Sequence, residues 1–470
     1  MGGTVTWTGA DSSNPTHHDV AANWSAGAGG TAPPAADDHV IIPNVTHDPV
    51  MQDHDTWGSV HISSGGDLDG NGKTLTLNDG GQATIFQNLG TISGDLDVTI
   101  TGGTSRAINE AGAGNIRTLT INNASSTFTQ SYHLTVTTLT ITAGTLDTDS
   151  SNHRNLTVTG GNISVSGTLL LNDSTVEVSD TSSALSISNV GTVTCGDTDL
   201  TVNALSLGQG TFTAPSASGS FIITGEKDGL AFDYDGNGFV HNSGTIEFKT
   251  QDTTLVDFTP NSAADIDINN VTINHASCIA TLPSAGGIGG DLLITAGKFD
   301  CAGYDLTVGS ITIASGAEFR ASSGTTTIST GTIDNDGTLT HNKGTIKIDH
   351  DTGITLDLTG SDANVIPVYN LIVDTDNTVG YGACTIGNNL TKKGSGRMRP
   401  TGDSGRTIEV MGTLLIEAGT FGRGASDTHT NTFGNVVLTG GTIDLTGGGG
   451  SGKTIVKGAF RNVGGTVNTP

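Results

Sequence analysis

The sequence predicts an all-β chain wound as a parallel, coiled solenoid with a capping module at its N-terminus. Three observations lead there. Short alternating Val/Ile/Leu stretches run through all 470 residues, and glycine is abundant (69) while proline is scarce (11). Several units also recur in imperfect repeats of about 20 residues, the signature of stacked coils. Apolar residues make up only 34% of the chain, too thin a supply for a broad globular core. Gly and Asp weaken helices and Thr prefers strands, so a helical protein is excluded. Strict alternation likewise argues against disorder.

Residues 1–58 stand apart. They hold all three tryptophans (Trp7, Trp24, Trp57) and five of the eleven prolines, and no Lys or Arg precedes Lys73. A solenoid must cover its first coil, which otherwise exposes apolar side chains and unpaired backbone groups. Residues 1–58 are therefore read as that cap, with Trp7 and Trp24 as its small core. Residues 59–470 are read as the β-helical repeat rod.

In the rod the commonest pattern is a short alternation closed by glycine, as in Leu156-Thr-Val158-Thr-Gly160 and Leu306-Thr-Val308-Gly309. Alternation with Thr outward and Leu/Ile/Val inward describes a strand with one buried face. One unit places Gly three residues after an Ile, at Leu139 to Leu146, Leu292 to Phe299 and Leu414 to Phe421. A second pairs Val193 to Val202 with Phe299 to Val308. A third relates two stretches 100 residues apart, 239–273 and 339–373: His241-Asn-Ser-Gly-Thr-Ile against His341-Asn-Lys-Gly-Thr-Ile, then Asn270-Val-Thr-Ile273 against Asn370-Leu-Ile-Val373. No coil buries its own inward face, but stacking buries a continuous column. At about 4.8 Å per coil the whole would extend on the order of 100 Å. A string of β-sandwiches would instead show Pro-punctuated linkers, and only six prolines lie beyond residue 50.

The four cysteines, Cys195, Cys278, Cys301 and Cys384, have no CxxC spacing, so zinc is not indicated. Cys195 and Cys301 occupy equivalent places in their units. About five coils would separate them, roughly 24 Å and far beyond disulfide reach, so cysteine is read as a buried apolar filler. The formal charge of −27 argues against a nucleic-acid partner, which would need a basic stripe. No apolar run is long enough for a membrane helix, and Met1-Gly2-Gly3-Thr4 does not read as the start of a secretory leader.

Trp7-Thr-Gly9, Asn23-Trp24-Ser25 and Pro34-Ala-Ala-Asp37-Asp38-His-Val40-Ile-Ile42-Pro43 resemble the N-terminal edge of β-helical bacterial surface proteins and phage structural proteins. The Gly-Thr-Leu-Asp unit near residue 146 and the His-Asn-x-Gly-Thr-Ile units resemble strand repeats of the same broad group. The resemblance implies a right-handed parallel β-helix in a virion or extracellular setting and carries over no catalytic residue. The chain's ending, Val467-Asn-Thr-Pro470, lacks the terminal aromatic of the autotransporter branch, which favours a phage protein made in the cytoplasm.

Candidate chemistry is sparse. A polysaccharide-cleaving tailspike would need paired carboxylates, and the seven Glu (110, 177, 226, 247, 318, 409, 417) are scattered without a cluster. Asp233-Tyr-Asp235-Gly-Asn237-Gly238 presents oxygens at alternate positions before Gly, as in the first half of a calcium loop, so Asp233, Asp235 and Asn237 are candidate calcium ligands. Asp67-Leu-Asp69-Gly-Asn71-Gly72 repeats the pattern; neither copy has Glu at the twelfth position. Lys392, Lys393, Arg397, Arg399 and Arg406 form a basic run that could hold an anionic partner, set against the ordinary reading of a solvated loop. Thr-x-Thr pairs are not held in one uninterrupted register, so ice binding is set aside. The expectation is a non-enzymatic, homo-oligomeric virion fibre, spike or appendage that contacts other virion proteins and a host-surface glycan. The alternatives are a bacterial adhesin and a glycan-cleaving tailspike.

Overall fold

The structure is a computed structural model. It describes residues 2–79, 81–114, 116–188, 190–234, 238–258, 268–358, 368–400, 407–422, 430–446 and 453–469. Its strands form a parallel β-solenoid of about 18 turns. The chain divides into two compact units, Met1–Gly244 and Thr245–Pro470. Among the described residues the helix is confined to one 3-10 turn, Ala21–Asn23.

In the first unit, parallel pairing is already under way within residues 1–58. Thr4–Trp7 pairs in parallel with His39–Ile42, which pairs in turn with Ser59–Ile62. The other edge of Thr4–Trp7 is taken by Trp24–Ala26, running antiparallel. Trp24 packs edge-on between Trp7 (ring centroids 4.8 Å apart) and Trp57 (6.0 Å), and all three rings are buried. Each indole N–H finds an acceptor: the carbonyls of His47 and His18, and the Asp55 carboxylate. Buried Asp38 accepts from the amides of Gly3, Thr31 and Ala35 and from the Thr31 hydroxyl. Burial alone would raise its carboxyl; these donors outweigh it and hold the group below its ordinary value.

Three inward columns fill this unit. One runs Trp57, Leu77, Ile100, Ile121, Ile141, Val165, Ile187, Leu207, Tyr234 in unbroken register. Phe128, Leu146, Leu169, Val193, Phe212 and Phe239 form a second, and Leu134, Leu156, Val176, Leu200 and Phe221 a third. Every member of the three columns is buried. Beside the first column an outward one also keeps register: Thr56, Thr76, Thr99, Thr120, Thr140, Ser164, Ser186, Ser206. Hydroxyls therefore line up in single file over eight successive strands, while the Thr-x-Thr pairs stay interrupted, as at Asp97-Val-Thr99 and Asn162-Ile-Ser164. The interval between them drifts from 20 to 24 residues, which hides the register from a fixed-period reading.

The glycines of the first repeat unit behave as expected. Gly144, Gly297 and Gly419 take φ of +86°, +82° and +65°, the region open to residues without a side chain. A methyl group on Gly144 would lie 2.1 Å from the Asn123 carbonyl oxygen. The third repeat is equally concrete: Thr245 pairs with Asn270 as Thr345 pairs with Asn370. The imidazoles of His241 and His341 accept the amides of Ser243 and Lys343, two residues on in each case.

The second unit stacks Phe258, Phe299 and Phe319 nearly face to face, with centroids 6.4 and 6.1 Å apart. One inward column runs Ile288, Val308, Ile328, Ile348, Val373, then Lys392, then Ile416 and Leu438. A fully buried lysine thus stands where each neighbour along the column is aliphatic. All four cysteines are buried and free.

Candidate functional site: a corner cleft in the first unit

Solenoid corners carry what the packed strands cannot: loops of free length and side chains with free ends. One corner of the first unit stacks four successive loops, 131–133, 148–155, 173–174 and 196–198, between strands in parallel register. Three of them are two or three residues long, whereas 148–155 has eight. An insertion in one repeat projects from one face, often the binding face.

The long loop is fixed at its root. The Thr148 hydroxyl donates to the Leu171 carbonyl (2.7 Å) and accepts from Ser174 (2.8 Å). Asp149 accepts from the Ser151 amide and the Asn152 side chain (2.6 Å). The Asn152 and Ser151 bonds hold the Asp149 carboxyl below its ordinary value. Three non-glycine residues here take positive φ: Asp149 (+68°), His153 (+49°) and Asn172 (+51°). Asx and His residues tolerate that region best, yet three around one corner is a local concentration of backbone strain.

Between these loops opens a cleft of ≈ 290 Å³, lined among others by Ser150, His153, Asn172, Asp173, Thr194 and Cys195. His153 Nδ1 lies 3.8 Å from an Asp173 carboxylate oxygen. Asn172 is held by its donation to Asp147 (2.8 Å). Burial pushes the Cys195 thiol up to about 12, so it lines the cleft as a protonated, unreactive group.

Beside His153, the Arg154 guanidinium sits over the Tyr132 ring, 5.6 Å from its centroid. Tyr132 is 48% exposed, and His133 meets its edge at 6.3 Å. His133 in turn accepts the Asn155 amide (3.0 Å), which ties the two loops together. Arg154 forms no ion pair among the described residues, and its buried Nε has no acceptor. Arg106, Arg117, Arg320 and Arg397 each meet a carboxylate directly, whereas Arg154 acts on the Asp149 carboxylate only through space.

The residues singled out from sequence lie elsewhere. Asp233 is on the strand Leu230–Tyr234, where its carboxylate accepts from Ser206 (3.1 Å); Asp235 and Asn237 lie outside the described residues. In the second acidic loop, Asp67 accepts from Ser93 and Asp69 from the Asn71 amide, so those oxygens serve the fold. Among the described residues no group of three His, Cys, Asp or Glu is placed to hold a metal ion.

The described members of the basic run differ in their surroundings, with Arg397 and Arg399 on the outward face of one strand. Lys392 points into the core, Lys393 lies 3.8 Å from Glu417, Arg397 pairs with Asp444 at 3.0 Å, and Arg399 is exposed. Arg406 lies outside the described residues. Of the glutamates, Glu247, Glu318, Glu409 and Glu417 face lysines, and Glu110 is buried. Sequence reasoning passed over Tyr132 and Arg154, which lie 22 residues apart and meet because that interval closes one coil. The available signal was the polar stretch Asp147-Thr-Asp-Ser-Ser-Asn-His-Arg-Asn155 interrupting the strand pattern.

No family model, no curated protein and no solved structure matches this chain.

Proposed function

We propose that the chain is a structural attachment protein of a bacteriophage particle, a fibre, spike or head appendage built from stiff solenoid segments. The observation that carries this reading is the unbroken register of the inward columns. Nine consecutive strands in the first unit keep one apolar face aligned, from Trp57 to Tyr234. Such stacking resists bending, because every coil is hydrogen-bonded to the next along its strands. A scaffold of this kind works by reach and by repeated display of the same contact, not by turnover. The resemblance of the Gly-Thr-Leu-Asp and His-Asn-x-Gly-Thr-Ile units to strand repeats of phage structural and bacterial surface proteins supports the virion setting, with copies of the chain assembled together.

Negative-stain micrographs and sedimentation of the purified 470-residue chain test the proposal. Elongated particles containing two or more copies are expected. Compact, monomeric globules would overturn it.

A further inference from the structure

We propose that the corner cleft and the Tyr132–Arg154 platform of the first unit bind a neutral oligosaccharide. The proposal rests on the attachment reading for its biological setting and supplies the class of ligand that would be attached to. Two features on this corner point to a sugar. The Tyr132 ring, 48% exposed with the Arg154 guanidinium over it, offers apolar surface to the C–H face of a pyranose beside a cationic donor. The adjoining cleft, at ≈ 290 Å³, is of a size for a single ring, and its Ser150, Thr194, His153 and Asp173 offer both donors and acceptors to ring hydroxyls.

Charge decides between neutral and acidic glycans. Asp147, Asp149 and Asp173 surround the corner against the single Arg154, in a chain already at −27. A polyuronate would meet repulsion on approach, whereas carboxylates are good acceptors for neutral hydroxyls. The four stacked corners span about 14 Å along the coil direction, so the ligand is an oligosaccharide lying across coils.

Saturation-transfer NMR on the full chain with cellohexaose, maltohexaose, N-acetylchitohexaose and hexagalacturonate tests this. At least one neutral hexamer should bind saturably, and hexagalacturonate should not. Tyr132→Ala and Arg154→Met should each weaken binding about tenfold, as loss of one stacked contact does. Both side chains lie outside the apolar columns, so unchanged hydrogen exchange in the strands Leu134–Asp147 and Leu156–Val158 is expected. Tyr304→Ala, which removes another exposed tyrosine, should leave binding as it is. Failure of all three neutral hexamers, equal binding of hexagalacturonate, or wild-type affinity in the Tyr132 and Arg154 variants would each overturn the site. The attachment reading falls on separate grounds, the micrographs and sedimentation above.

Discussion

Replacing Lys392 with methionine should destabilise the coils around it by about 3 kcal/mol, although methionine nearly matches the lysine stem in volume and adds apolar character. The side chain is fully buried in an aliphatic column between Val373 and Ile416. Its ammonium donates to three backbone carbonyls, those of Thr375 (3.2 Å), Lys393 (3.0 Å) and Gly394 (2.7 Å). Thr375 follows the strand Asn370–Asp374 and also accepts the Gly396 amide, while Lys393 and Gly394 follow the next strand in the stack, so the ammonium ties two successive corners together. Burial lowers the Lys392 pKa while Asp374 and Asp376 oppose that shift, so the group is a desolvated cation held by carbonyl dipoles and two nearby carboxylates. Methionine would remove the donor that serves the Lys393 and Gly394 carbonyls and the second donor to Thr375. Because solenoids open locally, global melting is a poor probe, and hydrogen exchange of the amides in Asn370–Asp374 and Ile408–Ile416 is the measurement. Faster exchange in these strands, with the first unit unchanged, is the expected result; unaltered protection would contradict the role assigned to the ammonium.

Glu110→Gln should do the opposite, stabilising the first unit at pH 8 and flattening its pH dependence. Glu110 is only 8% exposed and continues a column from Ile62 through Asn88. Asn88 donates to its Oε1 at 2.8 Å, and Oε2 has no partner. Burial raises its pKa from 4.5 to about 7, with the Asn88 bond pulling weakly the other way. The folded state therefore holds this proton more tightly than the unfolded chain does. The resulting stability is complete below pH 4.5, falls as pH rises, and is lost above about 7. A shift of that size corresponds to about 3 kcal/mol at most. Urea denaturation followed through strands near residue 110, at pH 5, 6, 7 and 8, should show the variant's advantage growing with pH. Parallel profiles for the two proteins would refute the assignment.

Much of the architecture was legible because solenoid coils repeat their local rules. The Gly that follows each Ile at 144, 297 and 419 takes positive φ as the corner demands, and the His-Asn turns at 241 and 341 make the same hydrogen bond. Apolar content is low because each coil contributes only a few inward residues to a narrow core. Other features were hidden by the variable coil length. Tyr132 meets Arg154 only because that coil closes in 22 residues, while its neighbours range from 20 to 24, so no fixed period aligns them. Lys392 shows a different failure. Leu390-Thr-Lys392 obeys the period-two rule and so puts the lysine inward with Leu390, but a run of basic residues is ordinarily read as solvated. Alternation outweighed charge there because the corner carbonyls supply the ammonium with partners.

The central claim, parallel coils stacked in register, is tested most directly by spin-label distances along the hydroxyl column of the first unit. These positions are outward and their neighbours in register are known: Thr56, Thr140, Ser164, Ser186 and Ser206. With the four native cysteines replaced, one label at Thr56→Cys is paired in turn with a label at each of the other four. At about 4.8 Å per coil, the backbone separations should rise evenly through about 19, 24, 29 and 34 Å. A distance that shortens or stays level as the second label moves from 140 to 206 would contradict the stacked-coil architecture.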